Sequence, residues 1–270
     1  MKLSMFLIAL SSISISPSLA FAGIYITAGT DVSTRCYVNF YIEDELGRQT
    51  GQPPTGPDLA EIPGTGGHYG TDSIFREDTK ESGPESIEFS ISSFPAGRFK
   101  LVLFTEITTS YWLQVSIVND KKKSIHQDFF GYATAASPIS FEFDHYPSSA
   151  TPTPITKIDS IGGLRQSVIA ALKLEQLGDP AFASRLDKLL SKAQADAASG
   201  KNKQAAGRLE QFVRRLDAAF KKTADPNDGD DPDDVKSAGS MKRFITKTAL
   251  DSLSADAKTL IAALEKKSKK

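Results

Sequence analysis

The chain changes its residue pattern at residues 146–154, which read YPSSATPTP. Spaced prolines of this kind predict a semi-rigid linker, because each ring restricts the backbone to an extended conformation. Apolar residues alternate with polar ones before the linker, as in strands, and recur with the 3.6-residue period of helices after it. We therefore predict an α+β protein of two segregated domains, an antiparallel β-sandwich at 23–146 and an α-helical bundle at 158–265, joined by a linker at 147–157.

The N-terminal half contains seven stretches with a two-residue period, rich in β-branched and aromatic residues. Polar segments at 107–110 and 119–121 lie between such stretches and predict that successive strands are neighbours in a sheet. Seven short strands without a helical period favour a two-sheet sandwich. The predicted strands are 24–27, 36–43, 86–92, 98–106, 111–118, 125–130 and 139–144.

Closely spaced glycines and prolines interrupt the strand pattern at residues 46–75. A loop of this length inside a compact domain is usually functional or disordered. We expect residues 46–73, with the nearest edge of the sandwich, to form the contact surface of this half. Arg48 and Tyr69 are its ligand-binding candidates.

The C-terminal half contains four amphipathic segments. Asp159 or Ser160 can cap the first helix, which is expected to end near Gly178, and Asp179 can cap the second, which has Pro180 in its first turn. A third helix is predicted from Asn202. After an acidic insertion at 224–236, a fourth helix is predicted with Ser254 as its cap, followed by a basic tail at 266–270.

Residues 1–22 have the layout of a secretory signal peptide, with Lys2, an apolar stretch, and the small-x-small sequence Ala20-Phe21-Ala22. The apolar stretch is short and interrupted by serines and Pro17, so no transmembrane segment is predicted. We expect a secreted protein, extracellular or periplasmic. The single cysteine, Cys36, excludes an internal disulfide bond and is expected to be a buried strand residue. A free thiol that pairs between chains is the alternative.

The two halves carry opposite charge. Residues 23–150 contain 9 basic and 17 acidic side chains, and residues 151–270 contain 22 and 16. This opposition either attracts the halves to each other or leaves each facing a different partner. The basic pairs Arg214-Arg215 and Lys221-Lys222 fall where an amphipathic helix is solvated, so we expect no nucleic-acid partner.

The sequence contains no recognisable catalytic motif. His68, His126 and His145 are far apart and lack the spacing of a metal site. The chain has no G-x-S-x-G element, and Cys36 lies in a predicted strand. We therefore predict that the protein is not an enzyme and carries no cofactor.

The acidic insertion is the one candidate for metal binding, because hard carboxylate oxygens suit calcium outside the cell. If Gly229 took the sixth place of an EF-hand loop, Ala224 and Pro226 would fall where ligands are needed, so a solvated spacer is expected and calcium is the alternative. The candidate ligands are Asp225, Asn227, Asp228, Asp230, Asp231, Asp233 and Asp234.

Tyr111 and Trp112 are the ligand-binding candidates of the predicted strand 111–118. Aromatic rings stack on the apolar faces of sugars, and an indole N–H can also donate a hydrogen bond. Large aromatic residues in sandwiches are also common core residues. The sequence leaves both interpretations open.

Two groups of motifs carry a family resemblance in the N-terminal half. Residues 44–51 (DELGRQTG), 55–56 (TG) and 61–63 (EIP) resemble the D-x-x-G-R-R-T-G, x-T-G and E-I-P elements of large secreted bacterial proteins. Residues 94–102 (FPAGRFKLV) and 111–115 (YWLQV) are similar to the strand pair of pre-peptidase C-terminal domains, with Phe in place of the usual Tyr. The resemblance implies a β-sandwich accessory module.

The C-terminal half resembles the FIMAH domain of bacterial secreted proteins. The matching segments are residues 186–193 (LDKLLSKA), 200–206 (GKNKQAA), 209–213 (LEQFV) and 253–261 (LSADAKTLI). Arg185 stands where that family has leucine, and the acidic insertion separates the last two segments. The resemblance implies a helical fold and no particular reaction.

These observations predict a non-enzymatic exported bacterial protein that serves as an extracellular or cell-surface binding or structural module. Its expected partner is an extracellular protein or glycan. Two alternatives remain: a carbohydrate-binding module that uses the β-sandwich, and an accessory part of a secreted hydrolase system. Ligand identity and oligomeric state do not follow from the sequence.

Overall fold

The computed structural model describes residues 23–30, 37–65, 68–72, 75–76, 81–82, 86–92, 94–135, 137–223 and 245–269. Strands occupy the N-terminal part and helices the C-terminal part, so the expected order of strands and helices is confirmed. The strands are β1 (Gly23–Gly29), β2 (Val38–Asp44), β3 (Gln49–Gly51), β4 (Leu59–Ala60), β5 (His68–Asp72), β6 (Phe75–Arg76), β7 (Glu81–Ser82), β8 (Ser86–Ser92), β9 (Gly97–Thr105), β10 (Thr109–Val118), β11 (Ser124–Ala133), β12 (Ile139–His145) and β13 (Thr156–Ile158). The helices are α1 (Ile161–Lys173), α2 (Pro180–Ala198), α3 (Asn202–Thr223) and α4 (Lys247–Ser268).

Two antiparallel sheets face each other over one apolar core. The five-stranded sheet has the order β11-β10-β1-β8-β5, and the six-stranded sheet has the order β13-β12-β9-β2-β3-β4. Phe40 and Phe89 meet across the core with ring centroids 6.0 Å apart, and Phe129 meets Phe141 at 4.8 Å. The two-residue period explains this arrangement, since every second side chain of each strand points to the partner sheet. A further pair, β6 and β7, forms a small two-stranded sheet.

All seven predicted strands are present, except that Cys36, the first residue of the second one, lies outside the described residues. One expectation about their pairing is wrong. β9 and β10 follow each other in the chain and lie in different sheets. Both strands carry buried leucines, Leu101 and Leu113 among them, and each set must face the shared core. The short connection at 106–108 therefore crosses from one sheet to the other. The expectation holds for β10 and β11, which are paired.

The segment predicted as a long loop is partly regular. β3 and β4 extend one edge of the six-stranded sheet, and β5 forms an edge of the five-stranded sheet. Between β4 and β5 the side chain of Ile62 is buried, and the hydroxyls of Thr50 and Thr65 share a hydrogen bond of 2.9 Å. Strands of two to five residues carry too short a pattern to be recognised in a sequence rich in glycine and proline.

The predicted starts of the first three helices are confirmed, and capping side chains are observed at α1 and α2. Ser160 accepts a hydrogen bond from the backbone N–H of Gly163 at the start of α1, and Asp179 accepts one from Ala181 at the start of α2. α3 begins at Asn202, as predicted. α1 ends at Lys173, earlier than expected.

The predicted start of α4 at Ser254 is wrong. The helix begins at Lys247, and Thr246 is its cap, accepting from the N–H of Ala249. The extra turns bury Leu250 and Leu253, which explains why the helix extends to Thr246. No helix in the described part of the chain is long and apolar enough to cross a membrane.

The helices pack against one another around a second apolar core, and this core reaches the five-stranded sheet. Tyr132 of β11 belongs to the helical core. α1 and α4 both contact β11. Before α1, strand β13 pairs with β12, so the chain that enters the helices is fixed to the six-stranded sheet. The end of the predicted linker is therefore a sheet edge.

Candidate functional site

The outward face of β10, β11 and β1 is the first candidate site, and we call it the Trp112 face. On β10 the outward residues alternate with fully buried ones. β1 and β11 pair with β10 on either side and bring their own outward residues alongside. The Trp112 face consists of Trp112, Gln114 and Ser116 on β10, His126, Asp128 and Phe130 on β11, and Tyr25, Thr27 and Gly29 on β1.

The indole of Trp112 lies over the backbone of Gly29. A Cβ atom at position 29 would come within 2.6 Å of the Trp112 Cε2 and Cζ2 atoms, so only glycine allows this approach. Trp112 is half-buried as a result. The residue directly opposite on β11 is Phe130, whose side chain is 57 % exposed. Trp112 and Phe130 therefore lie at opposite register positions on the same side of the sheet, with the indole directed toward β1.

Polar side chains continue the face away from the two rings. Gln114 lies opposite Asp128 and next to Thr27. Ser116 Oγ and His126 Nδ1 are 2.8 Å apart and share a hydrogen bond. The other ring nitrogen of His126 lies 3.1 Å from Asp128 Oδ1. The face thus combines an aromatic end with a row of hydrogen-bonding groups.

Ser116, His126 and Asp128 have the residue types and contacts of a hydrolase triad, but their surroundings do not suit acyl transfer. The His126 and Asp128 side chains are 45 % and 44 % exposed, on an open sheet surface. β10 is paired along both edges, so the backbone N–H groups near Ser116 are used within the sheet. None of these N–H groups is left to stabilise an oxyanion, which is normally a large part of such catalysis. We interpret the three residues as a surface hydrogen-bond network.

The other predicted ligand-binding residues are not on the Trp112 face. Tyr111 is 0 % exposed and points into the protein, because neighbouring residues of a strand point to opposite sides, so it offers no ring to a ligand. Arg48 is engaged with Asp44, its NH2 nitrogen 2.6 Å from Asp44 Oδ2. Burial alone would raise the pKa of Asp44, but hydrogen bonds from Arg48 and from the backbone lower it. Arg48 is thus a turn-stabilising residue here.

Two of the predicted sites cannot be compared with the structure. Tyr69 lies in β5 opposite Phe89, and its side chain is outside the described residues. The acidic insertion with its candidate calcium ligands, Asp225 to Asp234, also lies outside them. Within the described ranges, no group of three His, Cys, Asp or Glu side chains could hold a metal ion.

A second candidate site is buried where the sheets meet the helices, and we call it the Lys157 cluster. It contains Lys157 of β13, Asp159 before α1, Asp256 of α4 and Tyr111 of β10. Lys157 Nζ lies 2.5 Å from Asp256 Oδ1 and 3.3 Å from Asp159 Oδ1. The side chains of Lys157, Asp256 and Asp159 are 14 %, 9 % and 8 % exposed. A cavity of about 70 Å³ borders all three charged residues.

Burial shapes the proton affinities of the Lys157 cluster. It raises the pKa of Asp159 to about 6 and raises that of Asp256, although Lys157 acts in the opposite direction on both. Burial also raises the pKa of Tyr111 to about 12. For Lys157, burial alone would lower the pKa, but Tyr111 and the two carboxylates together raise it. Asp159 Oδ2 and Tyr111 Oη are buried without a hydrogen-bond partner among the described residues.

The sequence interpretation missed the Lys157 cluster, although one signal was present. Asp256 lies three residues after Leu253 and four before Leu260, so it falls on the apolar side of α4. A charged residue in such a position needs a buried partner. Lys157 was assigned to the linker and Asp159 was a candidate cap of the first helix, and nothing in the sequence marks either residue as buried. Their proximity to Asp256 depends on the pairing of β13 with β12.

Comparisons with protein-family models, with curated proteins and with solved structures find no match to this chain.

Proposed function

We propose that the chain is a non-enzymatic, exported binding module that binds a glycan on the Trp112 face. The observation that carries the proposal is the indole of Trp112, held over Gly29, with the exposed Phe130 as the opposite residue on β11. The C–H groups of a sugar ring stack on aromatic faces, and its hydroxyls need hydrogen-bond partners nearby. Gln114, Asp128 and Thr27 would supply such partners next to the rings.

A glycan fits this face better than a large protein partner does. Stable protein interfaces usually bury a patch of several large apolar residues. The Trp112 face has two large aromatic side chains together with Tyr25, and its other members are small, polar or charged. A flat sheet surface with a short aromatic platform suits an extended saccharide chain.

The most direct experiment uses the fact that Trp112 is the only tryptophan of the chain. Tryptophan emission therefore reports on this face, and titration with a panel of oligosaccharides should shift or quench it. Binding detected on a glycan array should weaken roughly tenfold or more in Trp112→Ala, a loss of about 1.4 kcal/mol or more. Tyr146→Ala removes an aromatic ring that is 51 % exposed outside this face, and should leave binding unchanged.

Absence of glycan binding, or equal binding by wild type and Trp112→Ala, would contradict the proposal. If Trp112→Ala instead abolished capture of a protein from the native cell surface, the Trp112 face would be a protein interface. A fluorophosphonate probe should leave Ser116 unlabelled, and labelling that required His126 would favour the hydrolase alternative.

We further propose that the sheets form a β-sandwich domain and the helices a bundle domain, each with its own core. Two largely separate clusters of buried apolar residues support this division.

Export is part of the same proposal and rests on the pattern of residues 1–22. Expression in a bacterial host should release a protein whose first residue is Gly23, and retention in the cytoplasm with an intact N-terminus would argue against it.

A further inference from the structure

The Lys157 cluster holds an amine and a carboxyl group in contact, together with a second carboxyl group. We propose that Lys157 Nζ and Asp256 Cγ become joined by an isopeptide bond, which forms within the folded chain with Asp159 as the proton carrier. The Lys157 nitrogen is 2.5 Å from one Asp256 oxygen, and the two residues come from β13 and α4. This bond would be a covalent modification that connects the sheet to the last helix.

Burial favours the condensation in two ways. Reactants fixed in contact can react as if each were present at about 10⁵–10⁸ M, which offsets the excess of water that normally favours hydrolysis. In addition, an ion pair removed from water loses its solvation, whereas the amide product carries no charge. The Lys157 and Asp256 side chains are 14 % and 9 % exposed, so both effects apply.

The reaction balances without any other reactant. The Lys157 ammonium gives one proton to Asp159, and the resulting amine attacks Asp256 Cγ. The new C–N bond forms as one Asp256 oxygen leaves, carrying away two of the three ammonium hydrogens as water, while the third stays on the amide nitrogen. Asp159 returns the proton to the departing oxygen and ends in its starting form. The products are one amide and one water molecule.

Asp159 is placed for this catalytic role. Its Oδ1 lies 3.3 Å from Lys157 Nζ, and its Oδ2 is buried without a hydrogen-bond partner in the described structure. Burial raises its pKa to about 6, so near neutral pH it can both accept and return a proton. The adjoining cavity of about 70 Å³ gives the released water a place to go.

The cluster also explains how this chain could be cross-linked without a second cysteine. The sequence contains one cysteine, so an internal disulfide bond cannot form. Residues 157 and 256 are 99 positions apart, and closing a loop of that length would restrict the unfolded chain strongly. An amide would do so independently of redox conditions.

Intact-mass spectrometry of the denatured protein tests the proposal. The mature wild-type chain should be lighter than its sequence by one water molecule. A tryptic digest should contain a branched peptide that links Lys157 to Asp256, with no cleavage after Lys157. The pair Lys247 and Asp251 is the internal control, because its Nζ and Oδ1 are also 2.5 Å apart but the side chains are exposed, so it should stay unmodified.

Asp159→Asn should fold with a wild-type circular dichroism spectrum and show the full sequence mass, because it lacks the proton carrier. Asp256→Ala should also show the full mass, because it lacks the acceptor carboxyl group. A wild-type chain at full mass after prolonged incubation of the folded protein would overturn the proposal. A bond from Lys157 to Asp159 instead of Asp256 would overturn it as well. Loss of water in folded Asp159→Asn would overturn the role of Asp159.

Discussion

At the scale of single residues, Gly131 is a steric requirement in the five-stranded sheet. It lies opposite Tyr111, and a Cβ atom there would come within 2.8 Å of Tyr111 Cε1 and 2.9 Å of its hydroxyl oxygen. Tyr111 is fully buried, so its ring cannot move aside. We expect Gly131→Ala to lower the free energy of unfolding by about 1–3 kcal/mol, as overpacking does in other cores.

Denaturant unfolding measures this effect, and Gly207→Ala is the matched control. Gly207 is exposed in α3, and nothing lies within 4 Å of the position of its added Cβ. Alanine there should raise the free energy of unfolding by about 0.5–1 kcal/mol, because it restricts the unfolded chain and favours the helix. A similar change of the same sign in both variants would contradict the steric explanation.

Gly29 imposes a related requirement on the Trp112 face. Alanine at position 29 would overlap the indole, which is on the surface and can move outward. We expect Gly29→Ala to shift the emission of the single tryptophan to longer wavelength, and to change the free energy of unfolding by less than about 1 kcal/mol. Under the proposed function it should also weaken glycan binding. Unchanged emission in this variant would show that Trp112 does not depend on Gly29.

The sequence predicted which residues of β10 share a side, since strand alternation is a local property. It left open which of the two rings is exposed, although Tyr111 and Trp112 are adjacent and must point to opposite sides. The glycines against which these rings pack lie on other strands, at positions 29 and 131. No local pattern connects them to β10, so the flat placement of Trp112 required the three-dimensional structure.

At the scale of elements, β11 is partly exposed over most of its length and buried against the helices at its end. From Ser124 to Phe130 exposed residues alternate with half-buried ones, whereas residues 131–133 are all buried. In this last part, Tyr132 packs into the helical core, and its hydroxyl donates a hydrogen bond to Gln176 Oε1 at 2.5 Å. The strand therefore joins the five-stranded sheet to the helices.

Substitution of Tyr132 measures the strength of this junction. Tyr132→Phe should lower the free energy of unfolding by about 1 kcal/mol through loss of one partly buried hydrogen bond, and Tyr132→Ala by about 3–5 kcal/mol through loss of the ring. Phe130→Ala on the same strand is the control. It removes an exposed ring and should change stability by no more than about 0.5 kcal/mol. Equal losses at positions 130 and 132 would contradict the docking role of Tyr132.

Elements with strong local signals were predictable and those fixed by distant partners were not. Ser160 and Asp179 mark helix starts because a capping side chain acts on the turn directly after it. β13 and β4 have only two or three residues, and their pairing depends on β12 and β3. The missed start of α4 has the same origin, since its first turns are stabilised by burial of Leu250 and Leu253.

At the scale of the whole molecule, stability should depend on pH through His145. Its side chain is buried next to Phe94, 5.5 Å between ring centroids, and burial lowers its pKa, although Asp120 and the backbone of Phe94 act in the opposite direction. The folded state then resists protonation, whereas the unfolded chain takes up a proton below about pH 6.5. The unfolded state binds more protons, so the free energy of unfolding should fall as the pH falls through that range.

His145→Gln isolates this contribution. Asp159 makes stability depend on pH in the opposite direction. Its raised pKa stabilises the folded state at low pH, and this stabilisation is lost as the pH rises to about 6. Asp159 is present in both wild type and His145→Gln, so its contribution drops out of the difference between their free energies of unfolding. This difference should narrow between pH 7 and pH 5. A constant difference across this range would mean that His145 titrates alike in both states.

The proposed isopeptide bond also predicts that the chain stays covalently joined after its backbone is cut between Lys157 and Asp256. Gly200 and Lys201 lie in the exposed turn between α2 and α3, where an inserted protease site should be accessible. Cleavage there places Lys157 in the N-terminal fragment and Asp256 in the C-terminal one. The two fragments of wild type should migrate together on a reducing, denaturing gel, and those of Asp159→Asn should separate.

Separation in both proteins would mean that an ion pair alone holds β13 to α4. Because such a pair contributes only while the fold is intact, the denaturing gel distinguishes it from a covalent bond.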